Sequence, residues 1–128
     1  MKVKAFWRVK YQVDVRARHF SVLTDEPVDF NGDDTGMMPT ELFLSSVASC
    51  FCMALIYVAG KRQIEVDDME VEVEGEKDLK NFRFTRLIVR MISSVPSRTL
   101  EGLIEDARKY CFVSRTISER CPIEYEIV

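Results

Sequence analysis

The residues of this chain best suited to chemistry are its four cysteines, Cys50, Cys52, Cys111 and Cys121. A free cysteine in an apolar helix most often serves only as a small apolar side chain. On one helix, Cys50 and Cys52 would point about 200° apart, so they cannot bridge each other. A reactive Cys50 would therefore need a partner from another element, and Cys111 is the natural candidate.

Activation of such a thiol requires a positive charge, because a thiolate in an apolar pocket is otherwise unstable. Arg16 and Arg18 are available in the N-terminal strand region. A buried arginine in turn needs a carboxylate to hold it, and Glu41 could supply one. Glu41 could instead complement the positive end of a helix dipole. The residues alone leave these alternatives open.

The other candidate ligands are few. A zinc site would need nearly all of the cysteines, because His19 is the only histidine. The cysteine spacings do not match the usual short zinc motifs, so we expect no metal and no cofactor. We interpret His19 as a solvated loop residue. Cys52 and Cys121 are interpreted as packing residues.

Length and charge restrict the class of protein. A chain of 128 residues fits a single domain, 1–128. A net charge of -3 and the lack of a basic run argue against a nucleic-acid partner. The N-terminus lacks the apolar core of a signal peptide, and free thiols suit a reducing compartment, so we expect a cytoplasmic protein.

The elements that must position the cysteines begin with strands. Apolar residues occupy every odd position over residues 3–15, which predicts one long half-buried strand. Residues 20–23 can form a second strand, and 24–27 a turn. Residues 31–36 have the composition of a loop.

A long helix should follow this loop. Pro39 and Thr40 suit its start, and Gly60 suits its C-cap, so we predict a helix to about residue 59. Serines and cysteines interrupt its apolar stretch, which favours a core helix over a membrane span, and we expect no membrane partner. Because the helix is apolar on nearly all sides, more than one chain should be needed to cover it. We infer a homodimer.

The second half of the chain predicts a hairpin, a helix and a final strand. Over residues 69–74, Met69 and two valines alternate with three glutamates, and 82–92 read as the partner strand, with Arg83, Arg86 and Arg90 able to face the glutamates. A second helix from Ser97 would place Cys111 on the inward side of its last turn. A short helical turn is expected over 114–119 and a strand over 123–127. The order is β-β-α-β-β-α-β, an α+β fold around one buried helix.

Two stretches resemble the OsmC/Ohr family. GDDTGMMPTELFLSSVASC, residues 32–50, matches the family's glycine-rich loop, Pro-x-Glu-Leu, small-residue helix and Ala-x-Cys. ARKYCFVS, residues 107–114, resembles the family's second cysteine helix. The resemblance implies an intertwined homodimer in which long central helices are wrapped by antiparallel sheets, with the sites at the dimer interface.

The resemblance also implies an activity, an antioxidant stress-response peroxidase. The first cysteine of the peroxidase members attacks an organic hydroperoxide, and the second resolves the sulfenic acid as a disulfide. An arginine activates the thiolate and a glutamate orients the arginine. Carried over by position, these residues are Cys50, Cys111, Arg18 and Glu41. A dithiol or lipoyl-type reductant recycles the disulfide.

The chain departs from the peroxidase pattern at two places. Phe112 stands where the peroxidase branches usually carry a proline, and the segment around Arg18 lacks the usual glycines. These features resemble the broader OsmC-like branch. Arg16 therefore stays a rival to Arg18, and the alternative function is a non-redox dimer that binds a small apolar ligand at its interface. A thioesterase-like enzyme is a weaker alternative, because only Glu41 offers acid/base chemistry.

Overall fold

The computed structural model describes residues 1–117 and 121–128. Within it the chain forms two compact units, Met1–Phe43 and Leu44–Val128. Each unit is described by itself. The first carries the N-terminal sheet and the loop that leads into the long helix, and the second carries most of that helix and the second sheet.

The first unit contains three antiparallel strands in the order β1-β2-β3, with β1 Lys4–Val9, β2 Gln12–Ala17 and β3 Phe20–Thr24. The prediction of one long strand is therefore wrong, because a turn divides it. Lys10 in that turn has a left-handed φ of 47°. Trp7 pairs with Val13 and Ala5 with Val15. Odd-numbered residues of β1 thus pair with odd-numbered residues of β2. The alternation of apolar and polar residues therefore continues through the turn, and the sequence pattern does not reveal the turn.

Strand β1 is exposed in the single chain. All six of its residues are exposed, and the side chain of Trp7 is 72% exposed. The alternation of apolar and polar residues predicts that one face of β1 is buried. In a single copy of the protein, this apolar face is exposed to solvent. A β-strand with exposed large apolar residues of this kind is typical of a surface that contacts a partner.

A buried carboxylate organises the loop before the long helix. Asp25 is 1% exposed and accepts hydrogen bonds from the N–H groups of Glu26, Asp33 and Thr35 and from Thr35 Oγ1. The Thr35 hydroxyl is the largest cause that holds the pKa of Asp25 below its usual value. A Cβ atom at Gly32 would lie 1.7 Å from the Glu26 carbonyl oxygen, so only glycine fits there.

The long helix α1 spans Pro39–Lys61. Its prediction is confirmed, although the helix continues through Gly60 for one residue beyond it. At its start, Glu41 Oε2 accepts the N–H of Met38 at 2.8 Å, which satisfies one of the backbone donors that the first turn leaves unpaired.

One face of α1 lies in the core of the second unit. The residues on this face are Val47, Phe51, Ala54, Leu55, Val58 and Ala59. The helix is long and apolar enough to cross a membrane by length and composition alone, but a core helix passes the same test. Another part of its surface is apolar and exposed in the single chain, with Met53 69%, Ile56 46% and Tyr57 52% exposed.

The second unit's sheet has the order β4-β5-β6, with β4 Glu70–Asp78, β5 Arg83–Ile92 and β6 Ile123–Ile127. The predicted hairpin β4–β5 is confirmed and antiparallel, but β6 pairs with β5 in parallel. The sheet is therefore mixed rather than purely antiparallel. The connection from β5 to β6 contains helices, and such a crossover can return the chain in the same direction.

The described part of the connection between β5 and β6 contains α2 Ser97–Tyr110 and α3 Phe112–Thr116. The helical turn predicted over 114–119 thus begins two residues earlier, and its residues 118 and 119 lie outside the described residues.

The predicted facing of arginines and glutamates on the sheet is confirmed for Arg86 and Arg90, whereas Arg83 faces Asp78. Arg90 pairs with Glu72 at 2.9 Å, Glu74 at 2.7 Å and Glu126 at 2.8 Å. These side chains are largely solvated, so we assign them little stability.

Candidate functional site

The second unit brings Cys50 and Cys111 together. Cys50 lies on α1, and Cys111 lies at the junction of α2 and α3, where its backbone is extended. Cys50 packs against the apolar core that contains Cys111. The redox partnership of these two cysteines stays a prediction. Both sulfur atoms are unbridged.

The two thiols differ in environment. Cys111 is fully buried, whereas Cys50 is only partly buried. Burial is the largest cause that raises the pKa of the Cys111 thiol, and Cys50 raises it further. The neighbouring Ser114 acts on this pKa in the opposite direction, and its hydroxyl donates to the Cys111 carbonyl oxygen at 3.3 Å. Burial therefore favours the neutral thiol of Cys111 over its thiolate.

Aromatic and basic side chains line the wall beside Cys111. The rings of Tyr125 and Phe51 are tilted with centroids 4.7 Å apart, and the Arg108 guanidinium lies 5.3 Å from the Tyr125 centroid. Burial raises the pKa of the Tyr125 phenol, although a hydrogen bond with Ser114 lowers it. A surface cavity of about 240 Å³ opens here, lined in part by Arg108, Ser114, Cys121 and Tyr125.

Sequence reasoning did not single out Ser114 or Tyr125. Ser114 stands three positions after Cys111, a spacing at which a side chain can reach back to the residue before a helix. This spacing could have identified Ser114 from the sequence as a neighbour of Cys111. Tyr125 comes from β6, fourteen residues beyond Cys111, and nothing in the local pattern of β6 indicates its position near the thiols. Cys121, interpreted as a packing residue, lines the cavity and has a pKa raised by burial.

The rival arginines have different partners in the first unit. Arg16 donates to Asp14 through Nε at 2.7 Å and Nη2 at 2.5 Å, and Arg8 contacts the same carboxylate at 3.3 Å. Asp14 is only 4% exposed. Arg16 is therefore already engaged in neutralising a buried charge, and its loss would leave that charge poorly compensated.

Arg18 is differently placed. It occupies the two-residue turn between β2 and β3 with a left-handed φ of 56°, and its guanidinium lies 5.0 Å from the Phe20 ring centroid. Within the part of the chain that the structure describes, Arg18 forms no ion pair, with Glu41 or any other carboxylate. Glu41 instead accepts the Met38 N–H. The roles of Arg18 and Glu41 toward the thiols stay predictions.

A metal centre has no support from the described residues. Among residues 1–117 and 121–128, no group of three histidine, cysteine, aspartate or glutamate side chains is placed to hold a metal ion.

The comparison with protein families decides the kinship of this chain. The family model for OsmC-like proteins matches residues 32–126, which include both cysteines of the pair. The chain belongs to the OsmC-like protein family. The family resemblance predicted from the two cysteine stretches is therefore confirmed. A search of curated proteins gave no match for this OsmC-like protein.

Solved structures share the fold of this OsmC-like protein over its whole length. A proposed osmotic-stress-induced and detoxification-response protein from Psychrobacter arcticus superposes with a TM-score of 0.88 at 19% identity, covering 100% of this chain and 96% of that one.

An organic hydroperoxide resistance protein OsmC from Legionella pneumophila superposes with a TM-score of 0.79 at 19% identity, covering 98% of this chain and 94% of that one. The organic hydroperoxide resistance protein OhrB of Bacillus subtilis superposes with a TM-score of 0.73 at 23% identity, covering 99% of this chain and 96% of that one. The α+β fold that the resemblance implied is thus shown for the single chain, which has one long helix and two three-stranded sheets.

Proposed function

We propose that this OsmC-like protein is a thiol-dependent peroxidase that reduces organic hydroperoxides through Cys50 and Cys111. The observation that carries the proposal is the pair itself, a partly exposed thiol beside a fully buried one in an apolar core. The relationship to proteins named for organic hydroperoxide resistance supports a role in peroxide stress. Free thiols suit such a role in the cytoplasm.

The chemistry proceeds in two oxidative steps. The Cys50 thiolate attacks a peroxide oxygen, the O–O bond breaks, and the alkoxide leaves and takes up a proton to become an alcohol. Cys50 is then a sulfenic acid. The Cys111 thiolate attacks the Cys50 sulfur, the S–O bond breaks as the disulfide forms, and the hydroxide that leaves takes up a proton from solvent to become water. A second thiol beside a sulfenic acid traps it before further oxidation.

An arginine completes the first step in this proposal. A cation beside Cys50 would stabilise its thiolate and the leaving alkoxide. We favour Arg18 over Arg16, because Arg16 is bound to the buried Asp14. Glu41 would then orient Arg18, in addition to its contact with the Met38 N–H. Replacement of Arg18 by alanine should slow oxidation of Cys50 more than replacement of Arg16, measured by stopped-flow with cumene hydroperoxide.

A homodimer is part of the proposal. Met53, Ile56 and Tyr57 lie at helical spacing on α1 and are exposed in the single chain, as is all of β1. A second copy that covers these surfaces would bury apolar area that water now contacts. An interface of this kind would also favour bulky apolar peroxides over hydrogen peroxide as substrates.

A second candidate function is ligand binding without redox chemistry. Phe112 follows Cys111 where the peroxidase branches usually carry a proline, and its side chain is 85% exposed. It lines a surface cavity of about 410 Å³ together with Tyr110 and Arg115. This cavity favours a small apolar or acidic ligand.

The deciding experiment is a thiol titration before and after one equivalent of cumene hydroperoxide, followed by peptide mapping. The peroxidase reaction should consume two thiols within seconds and link Cys50 to Cys111. Cys50→Ser should abolish peroxide consumption, and Cys111→Ser should allow at most one slow turnover. Cys52→Ser is the matched control on the same helix and should keep full activity. Persistence of all four thiols in the wild-type protein would favour the ligand-binding function.

A further inference from the structure

The cavity of about 240 Å³ is lined by residues from the end of α2, from α3 and from β6. Two of these residues are basic, Arg108 in the last turn of α2 and Arg115 in α3. None of the described residues that line the cavity is an aspartate or a glutamate. Cys50 and Cys111 are not among those lining residues either, so a ligand bound in this cavity needs neither thiol.

The two weakly acidic groups of the cavity wall carry no charge at neutral pH. Burial raises the pKa of the Tyr125 phenol and the pKa of the Cys121 thiol above their ordinary values. Both groups therefore stay protonated, and the charge of the described wall comes from Arg108 and Arg115 alone. Like charges on one concave surface repel each other, and an anion between them relieves this repulsion.

The two arginines are held in place without being neutralised. The Arg108 guanidinium lies 5.3 Å from the Tyr125 ring centroid, and Arg115 Nη1 donates to the Lys109 carbonyl oxygen at 3.0 Å. The carboxylate of Asp106 pairs with Lys109 at 2.8 Å. Within residues 1–117 and 121–128, no carboxylate forms an ion pair with Arg108 or Arg115. Since a guanidinium carries several N–H donors, both arginines keep donors for the oxygen atoms of a ligand.

The rest of the wall is apolar and the cavity is small. Ile117, Pro122 and Ile123 supply apolar surface. Sites for drug-sized ligands measure about 300–1,000 Å³, so this cavity suits a ligand of fewer atoms. An inorganic anion would leave the apolar wall in contact with water, whereas an organic anion would cover it.

We propose that this cavity binds a small organic acid. The carboxylate of the acid interacts with Arg108 and Arg115, and its carbon skeleton packs against Ile117 and Ile123. A planar guanidinium can hold a carboxylate through two parallel hydrogen bonds, which makes arginine the residue suited to this group.

Cys121 lines the same cavity and can report on its charge. Iodoacetate is a small organic acid that alkylates a thiolate with loss of iodide, and iodoacetamide is its neutral counterpart. The rate of labelling of each cysteine by each reagent is measured by peptide mapping. Because both reagents attack the same thiolate, the ratio of the two rates is independent of the pKa of the thiol.

Arg108→Gln and Arg115→Gln should each lower the ratio of iodoacetate to iodoacetamide labelling at Cys121 by about ten-fold, because each removes a hydrogen bond between charged groups. The ratio at Cys52, on α1, should not change. Arg98→Gln, at an exposed position of α2, is the matched control and should keep the wild-type ratio.

A competition experiment tests binding directly. Benzoate should slow the labelling of Cys121 by iodoacetamide in a saturable way. Benzamide should not slow it, and inorganic phosphate should slow it less at equal concentration and ionic strength. Phe112→Ala is the control for the larger cavity of about 410 Å³, which Phe112 and Arg115 both line, and this variant should keep the protection by benzoate.

Each outcome decides part of the inference. Equal labelling ratios in wild type and both arginine variants overturn the site. Protection by phosphate that equals protection by benzoate overturns the organic acid as ligand, and loss of protection in Phe112→Ala assigns the acid to the larger cavity instead. Saturable protection by benzoate that both arginine variants lose supports the inference, even if wild-type protein does not react with hydroperoxides. The peroxidase proposal can therefore fail without this one, and the reverse.

Discussion

Oxidation should stabilise this protein against unfolding, because Cys50 already packs against the core that contains Cys111. A disulfide between Cys50 and Cys111 would close a loop of about 60 residues, which restricts the unfolded chain by about 4 kcal/mol at 25 °C. The free energy of unfolding of a domain of this size falls by about 4 kcal/mol for each molar of guanidinium chloride, so the unfolding midpoint should rise by about 1 M. Native strain or the need to move either helix would reduce this gain.

The assay compares guanidinium unfolding of reduced protein with that of protein treated with one equivalent of cumene hydroperoxide, at equal protein concentration and without added thiol. Cys50→Ser treated in the same way is the control and should show no rise. The reasoning would be refuted by protein that peptide mapping shows to be linked through Cys50 and Cys111 but that unfolds at a lower midpoint. That result would mean that the sulfur atoms must be pulled together at the expense of the native packing.

Three other perturbations test different parts of the molecule. Met53→Ala should weaken a symmetric dimer by about 2 kcal/mol, or roughly 30-fold in dissociation constant by sedimentation equilibrium, whereas Leu79→Ala in an exposed turn should not. The Asp25 carboxylate should contribute stability that is fully present above the ordinary aspartate pKa of 3.8 and is lost as the pH falls through the lowered pKa of the folded protein. Asp25→Asn should remove this contribution, which is measured by urea unfolding at a series of pH values. Asp29→Asn, at an exposed position, is the control and should keep the wild-type pH profile. Gly32→Ala should lower the free energy of unfolding by about 1 to 3 kcal/mol, because its Cβ atom meets backbone rather than a movable side chain, and an unchanged melting temperature would contradict this.

Some of the fold could be read from short-range pattern because the causes are local. Proline and threonine at the start of α1 and a run of apolar residues identify a helix, and the structure has it over Pro39–Lys61. The valine–glutamate alternation likewise identifies β4. The strand prediction over residues 3–15 failed at Lys10, because a hairpin that pairs odd with odd positions keeps the alternation unbroken.

By itself, the sequence determined the two cysteine elements, the long apolar helix and the family resemblance, since each depends on residues near one another in the chain. Only the tertiary structure decided that Cys50 packs against the core that holds Cys111, that Cys111 is the fully buried member of the pair, and that β6 runs parallel to β5 and places Tyr125 with Ser114 in the lining of one cavity. It also showed Arg16 bound to Asp14. These facts depend on contacts between distant segments, which no local period or capping pattern encodes.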